Sequence, residues 1–312
     1  MAIETFGQLA KKHEKTERLA EIHTEVDQYK ALREYVFSEM IKRGKKKDKN
    51  YKPFIKGIST FKHLPESREQ GIFLENYYVA LRYIDDVADG DLELPENYES
   101  SAQYVQDKID FIESGHPPKD EIEKLLTLSF RIGAEFGADF RQESIDMLSS
   151  ILFDAKRRNE HTIFDEKTLH DHFYTLDIKG GVKASLKVFG EDPNLYEILE
   201  PLGEAERIYY NLRDFKEDTE AGLVNISSED CVRLSITQEI LTSGAYENHD
   251  GIRAWFKEQA EEGLRLVDEY YNRKKGIKFK PVTKLALKFG FEAMAKRFLE
   301  NVVRGNFEKI LD

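Results

Sequence analysis

Two stretches of the sequence carry paired carboxylates at helical spacing. In the first, Tyr77-Tyr78-Val79-Ala80-Leu81-Arg82-Tyr83-Ile84-Asp85-Asp86-Val87-Ala88-Asp89, the residues Tyr78, Arg82, Asp85 and Asp89 advance by four, three and four and so share one helix face. In the second, Arg207-Ile208-Tyr209-Tyr210-Asn211-Leu212-Arg213-Asp214-Phe215-Lys216-Glu217-Asp218, the same steps join Arg207, Asn211, Asp214 and Asp218. Apolar neighbours such as Val79, Leu81, Ile84 and Val87 mark the first helix as largely buried, where two adjacent carboxylates are costly unless a cation compensates them. Mg²⁺ prefers oxygen ligands, commonly one or two carboxylates with substrate phosphates completing the shell. Two such helices could hold a diphosphate through shared Mg²⁺ ions, with Asp85, Asp89, Asp214 and Asp218 as ligands.

With 59 acidic residues in 312, one DxxxD could be a solvated helix face. Two copies, each preceded by an arginine and each set among apolar residues, favour the metal reading. Histidine offers no competing centre: His170 and His172 face differently on a helix, and no HExxH occurs.

The elements that must position these residues are helical. Ile122, Leu125, Ser129, Ile132 and Phe136 recur at helical steps, as do Ile145, Leu148, Leu152 and Ala155. The spacing predicts helices near 4–43, 66–90, 97–114, 119–138, 141–158, 166–189, 202–220, 228–244, 249–273 and 281–304. Most prolines fall between them, and Pro201 is expected in a helix's first turn. With no linker, repeat or composition break, residues 1–312 are read as one all-α domain.

A net charge of −12 excludes a general nucleic-acid binder, and the basic run from Lys42 to Lys49 is read as a solvated loop. The single cysteine, Cys231, excludes an intramolecular disulfide framework and fits a reducing, cytoplasmic setting. No secretory h-region or membrane-spanning run is visible, and no GxGxxG or Walker A loop occurs. The segment from Lys284 to Arg304, with Leu287, Phe291 and Phe298 among Lys288, Lys296 and Arg297, is either a buried amphipathic helix or a peripheral membrane contact.

The two acidic segments, in their order and separation, resemble the paired aspartate motifs of the squalene/phytoene synthase family. Ser59-Thr60-Phe61 with Leu64-Pro65-Glu66 resembles the family's Ser-Phe element, and Tyr174 to Val182 its central tunnel-lining helix. Leu202-Gly203-Glu204-Ala205 ahead of Arg213-Asp214 follows its second signature. The resemblance implies an isoprenoid-synthase-type helical bundle around a central hydrophobic cavity. It implies Mg²⁺-dependent condensation of two C15 or C20 prenyl diphosphates head to head, with NADPH use left open.

By the same resemblance, Thr60, Phe61 and Arg82 contact the diphosphate end. Tyr78 and Ile178 line the cavity, and Tyr78, Arg82, Tyr174 and Arg213 act in catalysis. The sequence departs from the family where Arg207 and Tyr210 replace its usual Gln and Asn, with Asn211 one residue displaced. Gly222-Leu223-Val224-Asn225 lacks the usual Arg and Tyr, and Lys183 stands where a small residue is usual. Arg207 is then expected on the diphosphate and Asn211 at the metals. A one-substrate cyclase or hydrolase, and a non-catalytic helical binding factor, are the alternatives.

Overall fold

The computed structural model describes residues 6–46, 51–63, 67–244, 246 and 249–306. Leu64, Pro65, Glu66 and Phe307, and Lys47 to Lys49 of the basic run, lie outside the described residues. The described residues are helical and include no strand, as the periodicity predicts. By contact they fall into two compact units, residues 1–86 with 115–139 and residues 87–114 with 140–312.

The first unit contains α1 (Phe6–Gln28), α2 (Lys30–Lys46), α3 (Lys52–Phe61) and α4 (Arg68–Ala88), whose last two residues pass into the second unit. The expected 4–43 helix is interrupted at Tyr29, whose N–H bonds to the Val26 carbonyl three residues back. Between Phe61 and α4 the backbones nearly touch: a Cβ on Gly71 would lie 2.2 Å from the Lys62 nitrogen, so only glycine permits the approach. Glu75 sits in that elbow, accepting from Lys62 at 2.7 Å and Ser59 at 2.9 Å. After α5 (Ser101–Ser114), which belongs to the second unit, α6 (Glu121–Glu135) closes the first. Its stripe Ile122, Leu125, Ser129 and Ile132 is buried, and the Asp120 side chain caps its N-terminus.

The second unit continues with α7 (Arg141–Arg157), α8 (Glu166–Phe173), a π-helix over Tyr174–Val182 and α9 (Lys183–Phe189). Next come α10 (Tyr196–Arg213), α11 (Phe215–Glu220), α12 (Ser228–Arg233), α13 (Gln238–Ser243) and α14 (Asp250–Arg273). The chain then runs through α15 (Pro281–Ala286), a π-helix over Leu287–Glu292 and α16 (Ala293–Val303). The most extensive packing is of α10 on α14, followed by α5 on α7 and α7 on the first π-helix. A core of Leu212, Phe215, Ile226, Trp255, Phe256 and Leu299 lies beneath the second acidic segment.

Pro201 lies inside α10 and not in its first turn. The helix begins earlier than the apolar stripe indicates, just after a turn capped by Asp192. A proline has no N–H to give the carbonyl four residues back, and that carbonyl, Glu197, accepts instead from Arg273 at 2.7 Å. The basic run is also not a loop at its start. Lys42 to Lys46 complete α2, and Arg43 bonds to the fully buried Asp86.

Candidate active site

Each acidic motif ends where its helix ends. α4 stops at Ala88, which leaves Asp89 in the following turn, and α10 stops at Arg213, which leaves Asp214 at the joint with α11. Asp218 follows one turn later, its N–H donating to the Asp214 carbonyl at 2.8 Å.

In the first unit, Arg82 donates to Asp85 at 2.8 Å and lies 2.5 Å from Asp86. Asp86 is fully buried between Arg82 and Arg43, which makes it a packing and charge-balancing group. Tyr78 packs edge-on against Phe54 and stacks on Phe37, with its hydroxyl 3.7 Å from the Met40 sulfur. Burial, followed by the opposing effects of Arg82 and the two aspartates, raises its pKa and keeps the phenol neutral. Thr60 donates its hydroxyl back to the Lys56 carbonyl at 2.6 Å, and Phe61 is buried.

The second unit gathers the remaining acids. Burial pushes the Asp218 carboxyl up to about 7, and the charges of Asp214, Asp154 and Asp89 add to that shift against Arg207. Asp89, from the first motif, thus acts electrostatically on Asp218, from the second. Asp218 accepts from the Asn225 amide at 3.0 Å, and Arg157 locks that amide in place by donating to its oxygen at 2.7 Å. The same guanidinium reaches the Val224 carbonyl at 3.0 Å and Asp154 at 2.7 Å. Burial also penalises ionised Asp154, but His172 and Arg157 outweigh it and hold that carboxyl below its usual range. Asn225, Arg157, Asp154 and His172 form the frame of the cluster. The sequence shows Asn225 only as a departure from the family and His172 only as a histidine without a metal partner, and it does not single out Arg157 or Asp154. The one local signal was Asp154 and Arg157 three apart on α7.

The remaining residues are distributed unevenly. Arg213 makes a two-point contact with Asp214 and lies over the rings of Tyr210 and Tyr209 at 4.7 and 5.2 Å. Asp89 pairs with Arg158. Arg207 is held by Asp177 of the π-helix through bonds of 2.7 and 2.8 Å, with Phe173 4.7 Å beneath its guanidinium. Tyr174 turns elsewhere: it stacks on His170 and bonds to Glu200, and burial followed by that glutamate pushes its hydroxyl up to about 12. Ile178 is buried against α10, where a Cβ on Gly203 would come within 2.6 Å of it. The amide oxygen of Asn211 is buried with no hydrogen-bond partner among the described residues.

Among the described residues, no three His, Cys, Asp or Glu side chains stand close enough to ligate a metal ion as they are. The donor set nevertheless fits a hard cation. It comprises the Asp89, Asp214 and Asp218 carboxylates and the orphaned Asn211 oxygen, and all are oxygen ligands.

The helical fold of the described residues has counterparts among solved structures. Squalene synthase HpnC from Alicyclobacillus acidocaldarius superposes with a TM-score of 0.65 at 15% identity, covering 89% of this chain and 95% of that one. The chain has the fold of a squalene synthase. A dehydrosqualene synthase solved in complex with ligand shares the squalene synthase fold at a TM-score of 0.54 and 18% identity, over 91% of this chain and 86% of that one. No family model matches the sequence, and no curated protein matches it.

Within the squalene synthase fold the Arg207–Asp177 pair is open to a direct test. Each side chain keeps 21% of its surface exposed, so removing one partner should cost about 2–3 kcal/mol, less than a fully buried pair. Arg207→Gln should show that loss in urea denaturation, and adding Asp177→Asn should recover most of it. Equal stability of wild type and Arg207→Gln would mean that the pair does not hold the π-helix.

Proposed function

We propose that the chain is a Mg²⁺-dependent prenyltransferase that joins two prenyl diphosphates head to head with loss of diphosphate. The carrying observation is Asp218, a carboxyl pushed up to about 7 by burial and by acids from both motifs. Arg213, Arg158 and Arg157 pair with Asp214, Asp89 and Asp154, while Asp218 accepts from the neutral Asn225 amide, and that carboxylate suits a divalent cation.

In this reading Asp89, Asp214 and Asp218 would hold Mg²⁺ with Asn211. When bound, Mg²⁺ neutralises charge that develops on the departing diphosphate. The chain's own arginines do the rest of the anchoring. Arg207 and Arg213 would each exchange a carboxylate for a phosphate oxygen and retain charge-assisted bonds throughout. Ile178 is assigned to the apolar wall. Tyr174 contributes only if its hydroxyl leaves Glu200, so Tyr210, already beside Arg207 and Arg213, is the aromatic better placed to face a cation.

Glu206 favours a second reading, in which one prenyl diphosphate is ionised and then cyclised or captured by water. It is buried, one carboxyl oxygen has no hydrogen-bond partner, and burial followed by Asp177 pushes it well above the ordinary range. A neutral carboxyl there could exchange a proton with a reacting chain. The two readings separate on products. Incubation with C15 or C20 prenyl diphosphate and Mg²⁺, with and without NADPH, should yield a doubled hydrocarbon chain by mass spectrometry. Prenyl alcohols or cyclic products of single length would support the second reading.

A further inference from the structure

We propose that the outward face of the C-terminal helices, over residues 275–297, docks on an anionic lipid surface. Between Arg273 and Arg304 the sequence places ten lysines and arginines against Glu292 and Glu300, within a chain of net charge −12. Glu292 is turned inward and held by Tyr270, Tyr271 and Lys274, so it does not neutralise the outer face.

Burial divides this segment into two sides. Thr283, Leu287, Ala295, Leu299 and Val302 are buried, and Phe291 and Phe298 pack onto the same core clusters. Phe291 and Phe298 are therefore committed to the interior. The exposed positions include Lys275, Lys278, Lys284, Leu285, Lys288, Met294 and Arg297. Leu285 keeps 59% and Met294 45% of its surface in solvent, although both are large apolar side chains.

Apolar side chains standing among lysines and arginines match the boundary between anionic headgroups and acyl chains. Charge complementarity selects that occupant. The acidic excess of the remaining chain is repelled by an anionic surface, which favours approach by this basic face. The inference does not depend on the enzymatic reading.

The test is co-sedimentation of the full chain with vesicles of phosphatidylcholine alone or mixed with phosphatidylglycerol, at low and high salt. Binding is expected only to the anionic vesicles and should weaken with salt. At about 1 kcal/mol for each basic residue near the surface, Lys284→Gln with Arg297→Gln should lower partitioning roughly 30-fold. Leu285→Ser with Met294→Ser should lower it about tenfold. Lys124→Gln with Lys167→Gln, in exposed residues elsewhere, should leave it unchanged, and circular dichroism confirms that each variant folds. Absent binding, equal binding to neutral vesicles, or indifference to both face variants would overturn the proposal. So would loss of a solution dimer in those variants, seen by sedimentation velocity without vesicle binding, which would assign the face to a second copy of the chain.

Discussion

Asp218→Asn should reduce the rate of diphosphate release by about 10³-fold or more while leaving the helical content unchanged. Losing one carboxylate ligand removes several kcal/mol of stabilisation from charge that develops on the leaving group, and about 4 kcal/mol corresponds to that factor. Asp89→Asn and Asp214→Asn should behave alike, because both charges act on Asp218 and both side chains end a helix, where no core packing is lost. Asn225→Ala should fall less, about tenfold, since it orients Asp218 by one amide bond and supplies no charge. Steady-state release of inorganic diphosphate by each variant measures this. Near-wild-type rates for all three aspartate variants would remove the acid cluster from the mechanism.

The second large effect is on stability and has a definite sign. The Asp218 carboxyl titrates at about 7 in the folded protein against an ordinary 3.8, so folding favours its protonated form. Its contribution is fully present below about pH 4 and is lost as pH rises through about 7. A shift of this size corresponds to about 4 kcal/mol at most. Chelated wild-type protein should therefore lose stability between pH 5 and 8 relative to Asp218→Asn, whose amide does not titrate. Urea denaturation across that range reads the difference, and Mg²⁺ added at pH 8 should restore stability to the wild type alone. Parallel pH profiles for the two proteins would mean that Asp218 is not strained by its neighbours.

Much of this arrangement was legible in the sequence because it is local. The steps of four, three and four placed Arg82 within reach of Asp85, and they set Asp214 and Asp218 one turn apart. Periodicity located α6 and α7, since a helix buried on one side must repeat its apolar residues. The frame around the acids was not legible, because its bonds join distant positions. Asp177 and Arg207 are 30 residues apart, and Arg157 and Asn225 are 68 apart.

The π-helix was equally hidden. Its wider turn, closed by i→i+5 bonds, leaves no mark on composition, yet it changes which side chains share a face. Asp177 thereby meets Arg207 while Tyr174 turns to Glu200. Where the family would place an uncharged amide, Arg207 thus brings its own counter-ion. Two residues before the helix end, Asn211 presents an amide oxygen that has no hydrogen-bond partner among the described residues.

The central claim is that this acid cluster ionises a prenyl diphosphate with the help of divalent cations. The most direct measurement is release of inorganic diphosphate from a C15 prenyl diphosphate by the wild-type chain, with Mg²⁺ titrated in and then removed by chelation. The account predicts release that saturates with Mg²⁺, stops on chelation while the protein stays folded by circular dichroism, and resumes when Mg²⁺ is restored. Undiminished release from the chelated protein, or none from folded protein at saturating Mg²⁺ with either C15 or C20 substrate, would contradict it.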